Sequence, residues 1–301
     1  MLQFVTNGII SGAIYALVAL SFTVIYSNVK FFHFAHGVVY ASGAYLSYSV
    51  LRIAYGGGST PNAGISGWWL AIIVGIMGAG IVGVLIDRVV YKPLRKRKAP
   101  NLVFLIASFG VFIFIQNLLQ LIFGAQILTI RTGPVKEGHH VFGAVITNVQ
   151  ILILVVSCLL SVALWLFVKR TTLGKAMRAV ADDPLAASVV GIYPERIIFV
   201  AFAIGSALAG AAGILVSLET NIQPTMGMNA ILKGIIASII GGIGSIPGAV
   251  FGGLFLGIAE NLGIWKISAG WKDCIAFAIL IAFLLIRPGG IMGVKPHGER
   301  L

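Results

Sequence analysis

The apolar and polar positions of this chain divide it into long apolar runs cut by short charged loops. A membrane-crossing helix needs roughly 20 mainly apolar residues. Runs of that kind fall near 6–26, 37–54, 68–90, 101–123, 150–168, 196–218 and 271–287. A further apolar stretch, 229–263, is interrupted by IGGIGSIPG at 239–247, which predicts two short helices forming either a hairpin or a re-entrant pair. The expectation is a polytopic membrane helical bundle of about eight transmembrane helices, with a broken or re-entrant element at 229–263, in one transmembrane domain spanning 1–301. Its class is all-α with no strands, because backbone polar groups in lipid must be satisfied inside each helix.

The loops set the orientation. YKPLRKRKAP (91–100) holds Lys92, Arg95, Lys96, Arg97 and Lys98, and KRTTLGKAMR (169–178) holds Lys169, Arg170, Lys175 and Arg178. Lysine and arginine concentrate in cytoplasmic loops, so both segments are placed inside the cell. Two spans separate them, which puts 124–143 outside with only Arg131 and Lys136 as strong bases. Lys295 and Arg300 place the tail inside, and counting back through the spans, with Lys30 in the first connection, sets the N-terminus outside. Lys233 falls within the first short piece of 229–263. Left at the bilayer centre it costs about 2.5–3.5 kcal/mol, so it is expected to snorkel to an interface or face a wet cavity.

Composition agrees. Of 301 residues, 58% are hydrophobic and 10% charged, with a mean hydropathy of +1.01; ordinary soluble domains are roughly 25% charged. A net charge of +12 would suggest nucleic acid if the bases formed a stripe with interleaved aromatics, but they cluster in loops. The opening MLQFVTNGII lacks the basic region of a secretory signal, and the first run reads as an uncleaved span. Cys158 and Cys274 each lie in an apolar run and read as small buried thiols, with no disulfide or zinc framework.

Absences narrow the chemistry. There is no phosphate-binding G-x-x-x-x-G-K-[ST] loop; Gly174-Lys175 continues into AMRAV. The chain therefore is not expected to bind ATP. Glu219, Glu260, Asp87 and Asp273 fall near helix ends, so the spans do not offer the paired midplane charges of an ion-coupled carrier. No nucleophile–base pair or metal set shares a face, so an enzyme is not expected. Energy must come from a partner, or the protein is a passive channel.

Three segments are candidates for function. In KFFHFAHGVVYASGAY, His33 and His36 could share a metal or a proton, but no carboxylate or cysteine accompanies them. The better reading is a helix break, with Gly37 permitting irregular backbone and His36 bonding a freed carbonyl. TLGKAMRAVADDPLAASVVGIYPERI (172–197) reads as an ordered docking surface on the cytoplasmic side. Asp183 caps a short helix, Pro184 occupies its first turn and Gly191 ends it. Ala179, Ala186, Ala187, Val190 and Ile192 are expected on its apolar face, with Leu185, Ala187 and Val190 as anchors and Arg178, Asp182 and Asp183 at the polar rim. In the glycine-rich region, Gly248 and Gly252 are four apart, as are Gly253 and Gly257. That spacing predicts a close helix contact, within the subunit or with a partner.

These segments carry a resemblance. FFHFAHGVVYASGAY resembles the "NFAHGE…GAY" signature of LivH-type permeases, the membrane subunits of branched-chain amino acid ABC importers. YKPLRKRKAP with LIASFG, RAVADDPLAASVVGI, IIGGIGSIPGAVFGGLFLGIAE and LLIRPGGIMG are similar to further segments of that family, in the same order from about residue 8 to residue 293. His33 stands where asparagine is usual and Val38 where an acidic residue is usual; Leu185-Ala186-Ala187 followed by Gly191 has the spacing of the importer coupling element without its glutamate. The resemblance implies a multi-pass protein of a bacterial or archaeal cell (inner) membrane. Its implied partners are a second, LivM-like permease, two ATPase subunits that bind the ATP, and an extracytoplasmic substrate-binding protein. It makes His33, Phe34, Ala35, His36 and Gly37, with Gly241, Gly242, Gly244 and Ser245, candidates for the translocation path or its helix breaks. The same machine for urea, short amides or another amino acid is the alternative, and a passive channel or ion-coupled carrier a more distant one.

Overall fold

A computed structural model describes residues 1–54, 65–130, 138–141 and 143–293. In chain order the helices are α1 (Leu2–Val29), α2 (His36–Ala54), α3 (Ile65–Ile86), α4 (Lys92–Lys96), α5 (Asn101–Phe123), α6 (Asn148–Arg170), α7 (Thr172–Asp182), α8 (Pro184–Val189), α9 (Pro194–Glu219), α10 (Met226–Gly241), α11 (Ile246–Gly263) and α12 (Lys272–Ile286). Helix α3 runs into α4 through a π-helical turn, Asp87–Tyr91. Among the described residues seven helices are long and apolar enough to cross a membrane. Helix α2 falls outside that set because His36, Ser42, Ser47, Ser49 and Arg52 lower its hydropathy, and α10 because it is 16 residues long.

The expectation of no strands needs correction. β1 (His139–Val141) pairs antiparallel with β2 (Ala144–Ile146), turning at Gly143 with φ 87°. This hairpin lies between spans, where water relaxes the constraint that forbids open strands in lipid. The Gln3 side chain donates to the Val145 carbonyl at 3.1 Å and accepts from its N–H at 2.8 Å. The N-terminal turn of α1 is thus tied to this hairpin. Arg131, Lys136, Lys295 and Arg300, which entered the charge reading, lie outside the described residues. The buried-thiol expectation is also corrected: Cys158 and Cys274 are both exposed, and Cys158 lines a cavity between α1, α6 and α11.

The chain divides into two compact units, one of residues 1–23, 138–165 and 232–301 and the other of 24–137 and 166–231. In the first, α1 meets α11 along small residues. A Cβ on Gly8 would lie 2.8 Å from Cα of Ile258, on Gly12 2.9 Å from Cα of Leu254, and on Gly253 2.5 Å from Cα of Ala16. Real side chains do not tolerate such distances, so the absence of a Cβ sets the helix separation. Helices α10 and α11 are joined at 242–245, where Gly242 (φ 103°) and Gly244 (φ 94°) turn the chain. Ser245 then caps α11 by accepting from Gly248 N–H at 3.2 Å, with Pro247 in the first turn. The segment after α12 seals this junction: Ile291 N–H donates to Ile240 C=O at 2.8 Å and Met292 N–H to Gly241 C=O at 2.9 Å.

In the second unit α2, α3 and α9 pack together, again through glycine: a Cβ on Gly43 would lie 2.5 Å from Cα of Gly210. Ala41, Ala44, Tyr45, Leu51 and Ala71 pack with Leu119, Leu128, Ile130 and Ile222 as its buried core. An isolated bridge, Leu128 to Ile222, ties the loop after α5 to the loop after α9.

Candidate functional site

The break between α1 and α2 begins at Lys30, whose φ of 57° ends α1. Both imidazoles downstream are fully buried. His33 lies in the connection, its Nδ1 2.8 Å from the Tyr91 hydroxyl, with its ring edge-on to Tyr91 and Phe202. His36 opens α2, its ring centre 5.6 Å from that of His33. Ala35 is fully buried, and Phe34 packs edge-on against Phe109 of α5. The backbone of the break is met by a residue that sequence reasoning missed. The Ser108 hydroxyl accepts from Phe34 N–H at 3.3 Å and reaches the carbonyls of Leu105 at 2.8 Å and Phe32 at 3.3 Å. Gly37 needs no left-handed angle. Its role is close approach, since a Cβ there would lie 2.9 Å from the Gly227 carbonyl carbon and 3.0 Å from Ile231. Among the described residues no three His, Cys, Asp or Glu side chains gather as a metal site.

The segment 172–197 is ordered as two capped helices. Thr171 accepts from Gly174 N–H at 3.0 Å to start α7, and Arg178 on α7 donates to the Val168 carbonyl. Asp183 accepts from the N–H groups of Leu185 at 2.7 Å and Ala186 at 3.2 Å to start α8, with Pro184 in its first turn. Gly191 ends it at φ 85°, with Ile192 N–H donating to Ala187 C=O at 3.0 Å, a glycine-closed helix end. The apolar face differs from expectation at Ala187. Leu185, Val189 and Val190 are 78%, 86% and 73% exposed, and Ala186 is exposed, whereas Ala187 is 3% exposed and turned inward. Residues 185 and 189 are one turn apart on one side of so short a helix, while 187 is two steps of 100° away, on the other. Ala187 is therefore a packing residue of its own unit, and Val189 joins Leu185 and Val190 on the outward face. Asp182 is exposed, as expected.

Gly248 and Gly252 face α10, where a Cβ on Gly252 would lie 2.7 Å from the Gly241 nitrogen. Gly253 and Gly257 face α1 instead, at Ala16 and Gly12. The four glycines thus serve two contacts within one unit.

Two ionic clusters escaped the sequence reading. In the second unit the Arg95 guanidinium donates to both Glu195 carboxylate oxygens at 2.9 Å and to Asp87 at 2.7 Å. In the first, Lys233 is 8% exposed and ion-paired: its Nζ is 2.5 Å from the fully buried Glu260 and 2.9 Å from Asp273, which is 69% exposed, and Tyr15 donates to Glu260 at 3.0 Å. Partners from α1, α11 and α12 thus offset the burial of this charge. A mainly apolar cavity of about 400 Å³ in the same unit, lined by α1, α6 and α11, includes none of the predicted residues.

Residues 4–284 match the family model described as branched-chain amino acid transport system, permease component. The chain is 38% identical to the high-affinity branched-chain amino acid transport system permease protein LivH of Escherichia coli K12, over 100% of this chain and 97% of that protein. It is 38% identical to the corresponding BraD protein of Pseudomonas aeruginosa, over 100% and 98% of the two chains. With a probable branched-chain amino acid permease LivH of Methanocaldococcus jannaschii it shares 29%, over 96% and 91%. No solved structure matches.

Proposed function

The chain belongs to the family of branched-chain amino acid transport system permease components, and from that premise we propose that it forms the membrane path of an ABC importer for branched-chain amino acids. Two separate ATPase subunits drive this importer, a second, LivM-like permease completes the path, and an extracytoplasmic binding protein delivers substrate. The observation that carries this reading is α8: a helix capped at both ends, joined to the long α9 by a short connection, and presenting Leu185, Val189 and Val190 outward. A rigid amphipathic element of this kind seats in a groove of an ATPase and passes displacement to the span that follows. Apolar anchors rimmed by Arg178, Asp182 and Asp183 match the anatomy of a protein interface.

Reconstitution into proteoliposomes with the ATPase subunits, second permease and binding protein tests it. Leucine uptake that requires ATP is expected, and uptake at full rate without the ATPases would establish a channel or carrier instead. Preferential uptake of urea over leucine would move the substrate to the short amides. Replacing Leu185 and Val189 together with glutamate should abolish ATPase pull-down at unchanged membrane expression. Ala187→Glu, by contrast, buries a charge and reports on folding.

A further inference from the structure

The strongest unassigned feature is a chain of polar contacts in the second unit, between the start of α9 and the break before α2. Glu195 is the second residue of α9, directly after the connection from α8. Arg95 grips its carboxylate with two parallel bonds of 2.9 Å and holds Asp87 with a third of 2.7 Å. A fork that engages both carboxylates fixes direction as well as distance. Asp87 opens the π-helical turn whose last residue, Tyr91, holds His33 at 2.8 Å. Arg88 on the same turn lies over the Phe199 ring of α9, 5.0 Å from its centre. A π-turn inside a long helix is a local change of pitch, and such turns recur at functional positions.

We infer that Arg95 is a positioning residue that couples displacement of α8 and the start of α9 to the helix break at 30–35, through Asp87, the π-turn and the Tyr91–His33 bond. This rests on the reading of α8 as the ATPase seat. Burial is graded along the path: Glu195 is 48% exposed, its partner Arg95 15% and Asp87 3%. The outer end is thus free to follow a docked partner while the inner end is locked to the core. A displacement at Glu195 pulls on the guanidinium, and because Asp87 is held by the same group, the turn and Tyr91 move with it.

The test uses the complete reconstituted importer and two variants away from the ATPase seat. Glu195→Ala removes the outer tie and leaves the buried Asp87–Arg95 pair intact; Tyr91→Phe removes only the hydroxyl that meets His33. Each should retain ATPase pull-down and ATP hydrolysis while the leucine molecules taken up per ATP fall by about tenfold, the usual size of a coupling effect between sites. Glu195→Asp, which keeps a carboxylate, should recover part of the ratio. A residue serving stability alone would lower hydrolysis and uptake together through the amount of folded transporter, with the ratio unchanged. An unchanged ratio in both variants overturns the relay. Failure of the underlying reading is separately visible: Leu185→Glu with Val189→Glu would then still capture the ATPase.

Discussion

The two interruptions of helix, at 242–245 and at 30–35, meet the same requirement with different materials. At 242–245 two glycines take left-handed angles, Ser245 caps the next helix, and the chain's own tail donates to the carbonyls of Ile240 and Gly241. At 30–35 the only left-handed residue is Lys30. The connection is held by side chains from elsewhere, Ser108 of α5 on the backbone and Tyr91 of the π-turn on His33. A junction closed by backbone angles and backbone hydrogen bonds is stiff. One held by remote side chains moves when its holders move, which suits the break that stands at the end of the Arg95 path.

The largest effect is expected at the glycine junction. A side chain on Gly242 would combine a left-handed backbone angle with a Cβ 2.6 Å from Cα of Gly293. Gly242→Leu should therefore cost about 3 kcal/mol or more, read as loss of monodisperse protein in detergent or a large fall in melting temperature. Ser108→Ala at the other break removes the partner of Phe34 N–H and should cost about 1–3 kcal/mol. A Ser108 variant less stable than the Gly242 variant would reverse the comparison and make the side-chain-held break the rigid one.

Much of this was legible in the sequence wherever the cause is local. Gly242, Gly244, Ser245 and Pro247 act within a few residues of themselves, so IGGIGSIPG announces its break between two helices, though not the Ser245 cap. Asp183, Pro184 and Gly191 announce α8 for the same reason. The contacts that escaped are those made across the fold. Arg95 reads as one more cytoplasmic base until Asp87 and Glu195, eight and 100 residues away, are seen beside it. Lys233 and Glu260 are 27 residues apart and read as a lone cation inside an apolar piece and a charge near a helix end, yet they pair in the core. Ala187 was misread for a different reason: in a helix of six residues an apolar pattern does not say which side faces in. The exposure of Cys158 and Cys274 was hidden likewise, since a run that is apolar all round does not say which of its residues face outward.

The smallest effect is expected from His33→Asn, which tests whether the remote hold on the 30–35 break depends on the ring or only on its first nitrogen. Histidine Nδ1 is bonded to Cγ, as are the amide oxygen and nitrogen of asparagine, so asparagine at 33 can present a polar atom where Nδ1 now meets the Tyr91 hydroxyl. What it loses is the packing of the far ring edge against Phe202. Its second amide atom stays buried in place of Nε2, which meets no hydrogen-bond partner among the described residues, so one unsatisfied polar atom is exchanged for another. The lost packing of the far ring atoms is a small truncation, so stability should fall by about 1 kcal/mol. Uptake per ATP should stay at the parent value, because the bond to Tyr91 persists. His33→Ala, which has no atom to offer Tyr91, should instead match Tyr91→Phe in lowering that ratio. If asparagine lowers the ratio as far as alanine does, the Tyr91 bond is not what holds this break, and the packing of the imidazole ring against Tyr91 and Phe202 takes its place.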